Sequence, residues 1–194
     1  MSETSFPPLN SNSDKIALIE GVRSHTYYEV NERINLFAAG VLGEEEDLKE
    51  ERIAFFLPAS LDYVTAMHGV WRAGGIAVPL NVASAVSELD HYLTCANVTR
   101  MVAGLQYHDS LRDLCNSLEI ELLSVDNVLT TTAKKLPVIA PERRAMMLFT
   151  SGTTNKPKGV VSTHKTISAQ ITTLIEAWEW SDQDVIPLFL PLHH

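Results

Sequence analysis

The chain has 194 residues, of which 45% are hydrophobic and 20% are charged, a composition typical of a globular protein with one sizeable core or two small ones. Its 24 acidic and 15 basic residues give a formal net charge of −9, which argues against a general nucleic-acid binder because such proteins need a basic face. The longest stretch without Asp, Glu, Lys or Arg, residues 73–87, is shorter than the roughly 20 apolar residues of a membrane helix, so we expect no membrane span.

The first 14 residues are polar and contain two prolines, and we expect them to form a flexible leader before a folded region over residues 15–194. They contain neither a basic cluster nor an apolar segment, which favours a cytoplasmic location. The two cysteines, Cys95 and Cys115, lie near apolar residues in expected helices. We predict buried free thiols, since a disulfide scaffold needs more pairs in a shorter chain.

Segments typical of strands and helices alternate along the chain. A strand is expected over Ile16–Glu20, and the next helix starts at Thr26-Tyr-Tyr-Glu29, where a hydroxyl and a carboxylate three residues apart form a capping box. That helix is expected to end at Gly43. Ser60 is expected to cap a second helix, which stops at Gly74.

Three further helices follow from apolar spacing and capping residues. A looser capping box at Ser87–Asp90 opens a helix that ends near Ala96. Another helix is expected over Ser110–Leu118, and an apolar stripe from Ile167 to Trp178 predicts the last one. Residues 126–145 contain two prolines and are expected to form a connection.

Short apolar runs between these helices are expected to be strands, several of them covered on both faces. The expected strands after the first are Ile53–Leu57, Ile76–Leu80, Met101–Ala103, Leu122–Val125, Met146–Thr150, Gly159–Ser162 and Val185–Leu190. The alternation predicts an α/β fold, with a mostly parallel sheet and helices on both faces.

Charge is distributed unevenly along the chain. Residues 44–52 carry six acids and two bases, and we expect a solvated linker or helix end there. Residues 134–165 carry seven bases and one acid, a net charge of +6. A positive segment on an acidic protein favours a small anionic ligand, and chance clustering on a surface loop is the alternative.

The most informative segment lies inside this positive region, where an apolar run leads into Thr150–Thr154, with the sequence TSGTT. Hydroxyls and exposed backbone N–H groups bind phosphate oxygens, and glycine lets the backbone approach a ligand closely. Lys156 and Lys158 add positive charge on either side of Pro157. Apolar residues follow where a Walker A loop would continue into a helix. We therefore predict an exposed phosphate-binding loop between two strands, with an ordinary Ser/Thr/Gly turn as the alternative.

The string TSGTTNKPKGV at residues 150–160 resembles the phosphate-loop signature of the adenylate-forming, AMP-binding superfamily, whose usual form is TSGTTG-x-PKG. Asn155 stands where glycine is usual, and Asn tolerates a positive φ better than most residues. Residues 26–30 (TYYEV), 71–80 (WRAGGIAVPL) and 191–194 (PLHH) resemble other motifs of the family. The resemblance covers the chain from about residue 16 to its last residue, as the N-terminal portion of the AMP-binding domain.

Within the acyl-CoA synthetase branch, the strings at residues 178–180 (WEW) and 190–194 (LPLHH) are most similar to malonyl-CoA synthetases. Family members activate a carboxylic acid with Mg-ATP, release pyrophosphate and usually pass the acyl group to coenzyme A. The resemblance thus implies an AMP-forming acid–thiol ligase for malonate or a fatty acid, with ATP, Mg and coenzyme A as its ligands.

The resemblance also implies roles for individual residues. The residues that would hold the ATP phosphates are Thr150, Ser151, Gly152, Thr153, Thr154 and Lys158. His194 matches the catalytic histidine near the acyl group and the α-phosphate, the role of His193 stays open, and no residue is assigned to a metal.

The family's adenine and ribose contacts and its catalytic lysine have no match in these 194 residues, so we expect the chain alone to make no acyl-CoA. Two alternatives stay open: an adenylation domain that feeds a carrier protein, and a non-catalytic remnant of the fold. The sequence leaves the oligomeric state undecided.

Overall fold

Alternating strands and helices build a central sheet in the computed structural model, which describes residues 13–150 and 157–192. The strands are β1 Ile16–Glu20, β2 Arg23–Thr26, β3 Arg52–Phe56, β4 Ile76–Pro79, β5 Arg100–Ala103, β6 Glu121–Ser124, β7 Arg144–Thr150 and β8 Lys158–Thr163. The helices are α1 Tyr27–Leu42, α2 Leu61–Arg72, α3 Val86–Ala96, α4 His108–Ser117, α5 Val125–Leu129 and α6 His164–Trp178, and a 3₁₀ turn covers Leu105–Tyr107.

Within the described residues, six strands form the main sheet in the order β6-β5-β3-β4-β7-β8. All neighbouring pairs are parallel except the last, in which β8 runs antiparallel to β7. Strands β1 and β2 form a separate antiparallel hairpin. The predicted α/β fold with a mostly parallel sheet is confirmed. Strand β2 was not predicted, because its sequence RSHT contains no apolar run.

Helices cover both faces of the sheet. On one face Phe37 of α1 and Val70 of α2 pack in the same buried cluster as Phe55 of β3. On the other face Leu93 of α3 packs in the cluster that contains Phe56. Consecutive strand residues point to opposite faces, so the buried pair Phe55 and Phe56 anchors one core on each side of β3.

The helix ends are fixed mostly by the residues expected from the sequence. The Thr26 hydroxyl accepts from the Glu29 N–H at 3.2 Å, and the Glu29 carboxylate accepts from the Thr26 N–H at 2.8 Å. Ser60 caps α2 at its start. Gly43 ends α1 and Gly74 follows the end of α2, and both glycines have a positive φ. The capping box of α3 was placed wrongly. This helix begins after Ala85, whose N–H donates to the Glu88 carboxylate at 3.0 Å.

The expected strand Val185–Leu190 is wrong, since these residues have no regular secondary structure. Their side chains are largely exposed, with Val185 at 79% and Phe189 at 82% of full exposure. A strand needs a partner to receive its backbone hydrogen bonds, and an apolar run alone does not supply one. The expected connection over residues 126–145 is shorter in the structure, because α5 occupies its first residues and β7 its last two.

The prediction for the cysteines is half correct. Both thiols are free, and Cys115 is buried near Met101, with its Sγ 3.9 Å from the Met101 sulfur. Burial raises the pKa of the Cys115 thiol. Cys95 is exposed on α3, because apolar neighbours in the sequence do not decide which face of a helix a residue occupies.

The loop between α1 and β3 is more than a solvated linker. Arg143 donates to both carboxylate oxygens of Asp47, at 2.6 and 2.9 Å, and to the Gly74 carbonyl at 2.5 Å. Arg144 donates to the Glu50 carboxylate at 2.5 and 2.8 Å. These contacts correct part of the interpretation of the positive segment, since the two arginines bind protein carboxylates rather than a free anion.

The ion pairs shift the pKa of the carboxyl groups. The Arg143 hydrogen bond lowers the pKa of Asp47, and Asp47 in turn raises the pKa of Arg143. Burial alone would raise the pKa of Glu50, but its bonds to Arg144 outweigh that effect and lower it. Lys134 completes the contact by donating to the carbonyls of Gly43 at 2.9 Å and Glu45 at 2.7 Å.

Replacing Arg143 by alanine is expected to lower the free energy of unfolding by about 2 kcal/mol at pH 7, because hydrogen bonds to a charged group are lost and Asp47 keeps no guanidinium partner. The difference from the unmodified chain should shrink as the pH falls below 3.8, the ordinary pKa of Asp, where Asp47 becomes protonated. Urea denaturation measures the free energy of unfolding of both proteins at pH 7 and at lower pH. The matched control is Arg112→Ala, which breaks an exposed pair with Asp109 and should change little. Equal losses in the two variants would contradict the assignment.

Candidate functional site

The predicted phosphate loop connects two strands, as its sequence indicates. Thr150 ends β7 and Lys158 begins β8, and the two residues are partners in the antiparallel register. Both side chains are exposed. The other predicted site residues, Ser151, Gly152, Thr153, Thr154 and His194, lie outside the residues that the structure describes, as do His193, Asn155 and Lys156.

Thr150 lies at the edge of the sheet where ligands usually bind. Alternate residues of β7, Ala145, Met147 and Phe149, are buried, and Thr150 at the end of the strand is exposed. Because β4 and β7 are parallel, their carboxyl ends meet at the same edge, where crevices between strands form binding sites in α/β proteins. The hydroxyl of Thr150 and the ammonium of Lys158 are therefore available to an anion at this edge.

Side chains add to the strand pairing that holds the beginning of the β7–β8 hairpin. In the parallel pairing of β4 and β7, Ala77 lies opposite Met146. The buried Trp71 of α2 adds a hydrogen bond from its Nε1 to the Ala145 carbonyl, at 2.7 Å. The ion pairs of Arg143 and Arg144 fix the same end of β7 to the α1–β3 loop.

The loop end of the hairpin rests on α3. The Nε2 atom of His91 lies 3.0 Å from the Pro157 carbonyl, the residue directly before Lys158. The ring of the next residue, Tyr92, lies 4.5 Å from that of Phe149, directly before Thr150. Sequence reasoning did not find His91 or Tyr92, because no local pattern connects α3 with a loop some 60 residues later.

A second motif approaches the same edge of the sheet. Tyr63 of α2 is buried and donates its hydroxyl hydrogen bond to the Leu192 carbonyl, two residues before His194. Burial raises the pKa of the Tyr63 hydroxyl, so it stays protonated as a donor. A cavity of about 440 Å³ lies here, lined by residues that include Tyr63, Leu192 and, at the ends of β3 and β4, Leu57 and Asn81. No sequence pattern pointed to Tyr63, which occupies an ordinary helical position.

An aromatic group supports the opposite end of β7. The ring of Trp71 lies 5.0 Å from that of His68 and 5.8 Å from that of His164. The buried His164 also donates its backbone N–H to the Arg143 carbonyl at 3.1 Å. Burial, assisted by the Arg72 charge, lowers the pKa of His68 to about 4. His68 is therefore neutral at pH 7 and acts in packing.

The described residues have two further properties that bear on function. No three His, Cys, Asp or Glu side chains among residues 13–150 and 157–192 lie close enough together to hold a metal ion. None of the helices in this part of the chain has the length and apolar content that crossing a membrane requires.

Comparison with known proteins decides the family. Residues 8–194 match the family described as AMP-binding enzyme. The chain belongs to this family. It is 34% identical over 192 residues to the mitochondrial malonate–CoA ligase of Mus musculus, an alignment that covers 93% of the chain and 33% of that protein. The predicted superfamily and branch are confirmed, and the chain spans about a third of the relative's length.

Solved structures agree with this assignment at the level of the fold. ATP-bound MatB from Rhodopseudomonas palustris superposes with a TM-score of 0.86 at 22% identity, over 100% of this chain and 41% of MatB. McyG A-PCP in complex with phenylalanyl-adenylate gives a TM-score of 0.80 at 21% identity, over 89% of this chain and 29% of McyG. The chain thus has the fold of a part of each of these larger proteins.

The low pKa of His68 predicts a loss of stability in mild acid. The unfolded chain takes up a proton near the ordinary pKa of 6.5, whereas folded His68 does so near 4, so the free energy of unfolding should fall by up to about 3 kcal/mol between these values. His68→Gln removes the titrating group and should flatten this part of the profile. Thermal or urea unfolding from pH 8 to pH 4 measures the difference. Parallel profiles for the two proteins would show that His68 is not responsible.

Proposed function

We propose that this chain supplies the phosphate-binding part of an AMP-forming malonate–CoA ligase. The observation that carries the proposal is the β7–β8 hairpin, which presents Thr150 and Lys158 opposite each other and exposed at the carboxyl edge of the sheet. The substrate assignment is supported by the malonate–CoA ligase that is 34% identical to the chain over 192 aligned residues.

The reaction needs charge neutralisation more than covalent help. A carboxylate oxygen attacks the α-phosphorus of ATP, the bond to pyrophosphate breaks, and an acyl-adenylate forms. The thiol of coenzyme A then attacks the acyl carbon, and AMP leaves with the bonding electrons. Groups that neutralise the phosphates where charge develops lower the barrier of the first step, and one such preorganised contact is worth about 100- to 1,000-fold in rate.

In this scheme the hydroxyls and backbone N–H groups of the loop donate hydrogen bonds to phosphate oxygens, and the Lys158 ammonium neutralises their charge. The proposed phosphate ligands are Thr150, Ser151, Gly152, Thr153, Thr154 and Lys158. We propose His194 as the catalytic residue near the α-phosphate, and the bond from Tyr63 to the Leu192 carbonyl directs the preceding segment toward this edge.

Magnesium enters the scheme as part of the substrate, MgATP. The residues described in the structure contain no cluster of three metal-ligating side chains, so we assign no protein ligand to the ion. Coenzyme A is the proposed second substrate. The similarity to the malonate–CoA ligase over 93% of the chain favours coenzyme A over a carrier protein as the thiol.

The chain spans only a third of its relative, and we propose that it makes no acyl-CoA on its own.

The cytoplasmic location expected from the sequence stays a prediction, and the mouse relative is named as a mitochondrial protein. A fatty acid stays the alternative to malonate.

The proposal predicts that the 194-residue chain binds MgATP and pyrophosphate through Lys158. Lys158→Ala should weaken the binding of MgATP and of pyrophosphate by about 10-fold, since a charged hydrogen bond contributes about 1.5 kcal/mol or more. Isothermal titration at low salt measures the affinities, which should fall as salt rises. Lys165→Ala is the matched control, because this exposed lysine belongs to the same positive segment, lies near Glu142, and should leave binding unchanged.

Two outcomes would contradict the proposal. Absence of MgATP binding by the unmodified chain would favour a non-catalytic remnant of the fold. Conversely, release of pyrophosphate from ATP, malonate and coenzyme A above the level of Lys158→Ala would show that the isolated chain is active, against the expected inactivity.

A further inference from the structure

Adjacent residues of α3 contact both ends of the phosphate loop. His91 is half-buried, and its Nε2 lies 3.0 Å from the Pro157 carbonyl. Tyr92 packs its ring 4.5 Å from the ring of Phe149. Pro157 directly precedes Lys158, and Phe149 directly precedes Thr150, so α3 contacts the chain one residue away from each of the two described members of the loop.

The backbone on the β8 side of the loop has fewer other constraints than the backbone on the β7 side. Lys158 is the first registered residue of β8, so Pro157 lies beyond the β7–β8 ladder. Proline has no N–H and contributes only its carbonyl as a backbone hydrogen-bonding group. Among the described residues no strand lies on the outer side of β8, so strand pairing constrains it from one side only. The ring of His91 supplies a constraint from a separate element.

The Tyr92 contact is apolar and fixes the β7 side. Phe149 is buried, and its ring makes a tilted contact with the ring of Tyr92. This contact holds the end of β7, just before Thr150, against α3. The two stems are thus held by neighbouring side chains of one rigid helix, which fixes their positions relative to each other. A phosphate site gains affinity from such preorganisation because less ordering remains to be done on binding.

We propose that His91 is a positioning residue of the phosphate site. It holds the Pro157 carbonyl and so fixes the backbone from which the Lys158 ammonium binds the anion. The inference rests on the proposed function for the role of Lys158. His91 acts through the backbone of Pro157, and none of its described contacts involves Lys158 itself. An imidazole N–H donor accounts for the geometry, and a glutamine amide at this position offers a donor of similar reach.

Two measurements on the 194-residue chain test this. Amide hydrogen exchange of residues 158–160 reports the hold on β8 without any ligand, and titration with inorganic pyrophosphate reports its effect on binding. His91→Leu removes the donor and should speed exchange at these amides and weaken pyrophosphate binding, each by about 5-fold for one lost hydrogen bond. His91→Gln should restore both to within about 2-fold of the unmodified chain.

The chain offers a matched control in His108, whose Nε2 lies 3.3 Å from the carbonyl of Ala103, the last residue of β5. His108→Leu should leave residues 158–160 and the pyrophosphate affinity unchanged. Exchange of the β3 amides, residues 52–56, reports global unfolding and should be equal in all variants. If His91→Leu is too unstable for this criterion, His91→Ala replaces it as the variant without a donor.

Unchanged exchange at residues 158–160 in His91→Leu would overturn the proposal. So would faster exchange with unchanged pyrophosphate affinity, or a His91→Gln variant that behaves like His91→Leu. Failure of the unmodified chain to bind pyrophosphate would instead contradict the proposed function, and the exchange data would still decide whether His91 holds β8.

Discussion

The hydrogen bonds and ion pairs that attach the β7–β8 hairpin to the parallel sheet are the constraint on which the candidate site depends. Strand β7 pairs in parallel with β4, with Ala77 opposite Met146, and side chains add further contacts. Arg143 and Trp71 hold the start of β7, through Asp47 and the Ala145 carbonyl. At the other end α3 contacts the stems of the loop. Because both ends are fixed, the exposed partners Thr150 and Lys158 occupy a defined place at the edge of the sheet.

This attachment also explains the uneven charge of the chain. The acidic loop after α1 and the two arginines at the start of β7, Arg143 just before it and Arg144 as its first residue, are about 95 residues apart in sequence, yet they form one set of ion pairs. Arg143 and Arg144 bind carboxylates of this loop, whereas Lys158 at the start of β8 is exposed. A net positive segment in the sequence therefore contains two kinds of charge, one that holds the fold together and one that is available to a ligand.

The sequence predicted the elements whose pattern is local and missed those that depend on distant partners. Strands β3, β4 and β5 lie within a residue or two of their predicted bounds, because burial on both faces produces continuous apolar runs. The run Val185–Leu190 has the same pattern but no strand beside it among the described residues. The position of the motif between two strands could be predicted from its sequence. His91 and Tyr63 could not, since each acts on a backbone carbonyl that only the tertiary structure brings near.

The positions of the three tryptophans give the chain built-in optical reporters. Trp71 is buried, with its indole N–H bonded to the Ala145 carbonyl at the base of the hairpin, so its fluorescence is emitted at short wavelength from an apolar environment. Trp178 is mostly exposed and lies 4.8 Å from Trp180, edge to face, so this pair emits at longer wavelength. The shape of one emission spectrum therefore separates loosening of the hairpin base from changes after α6.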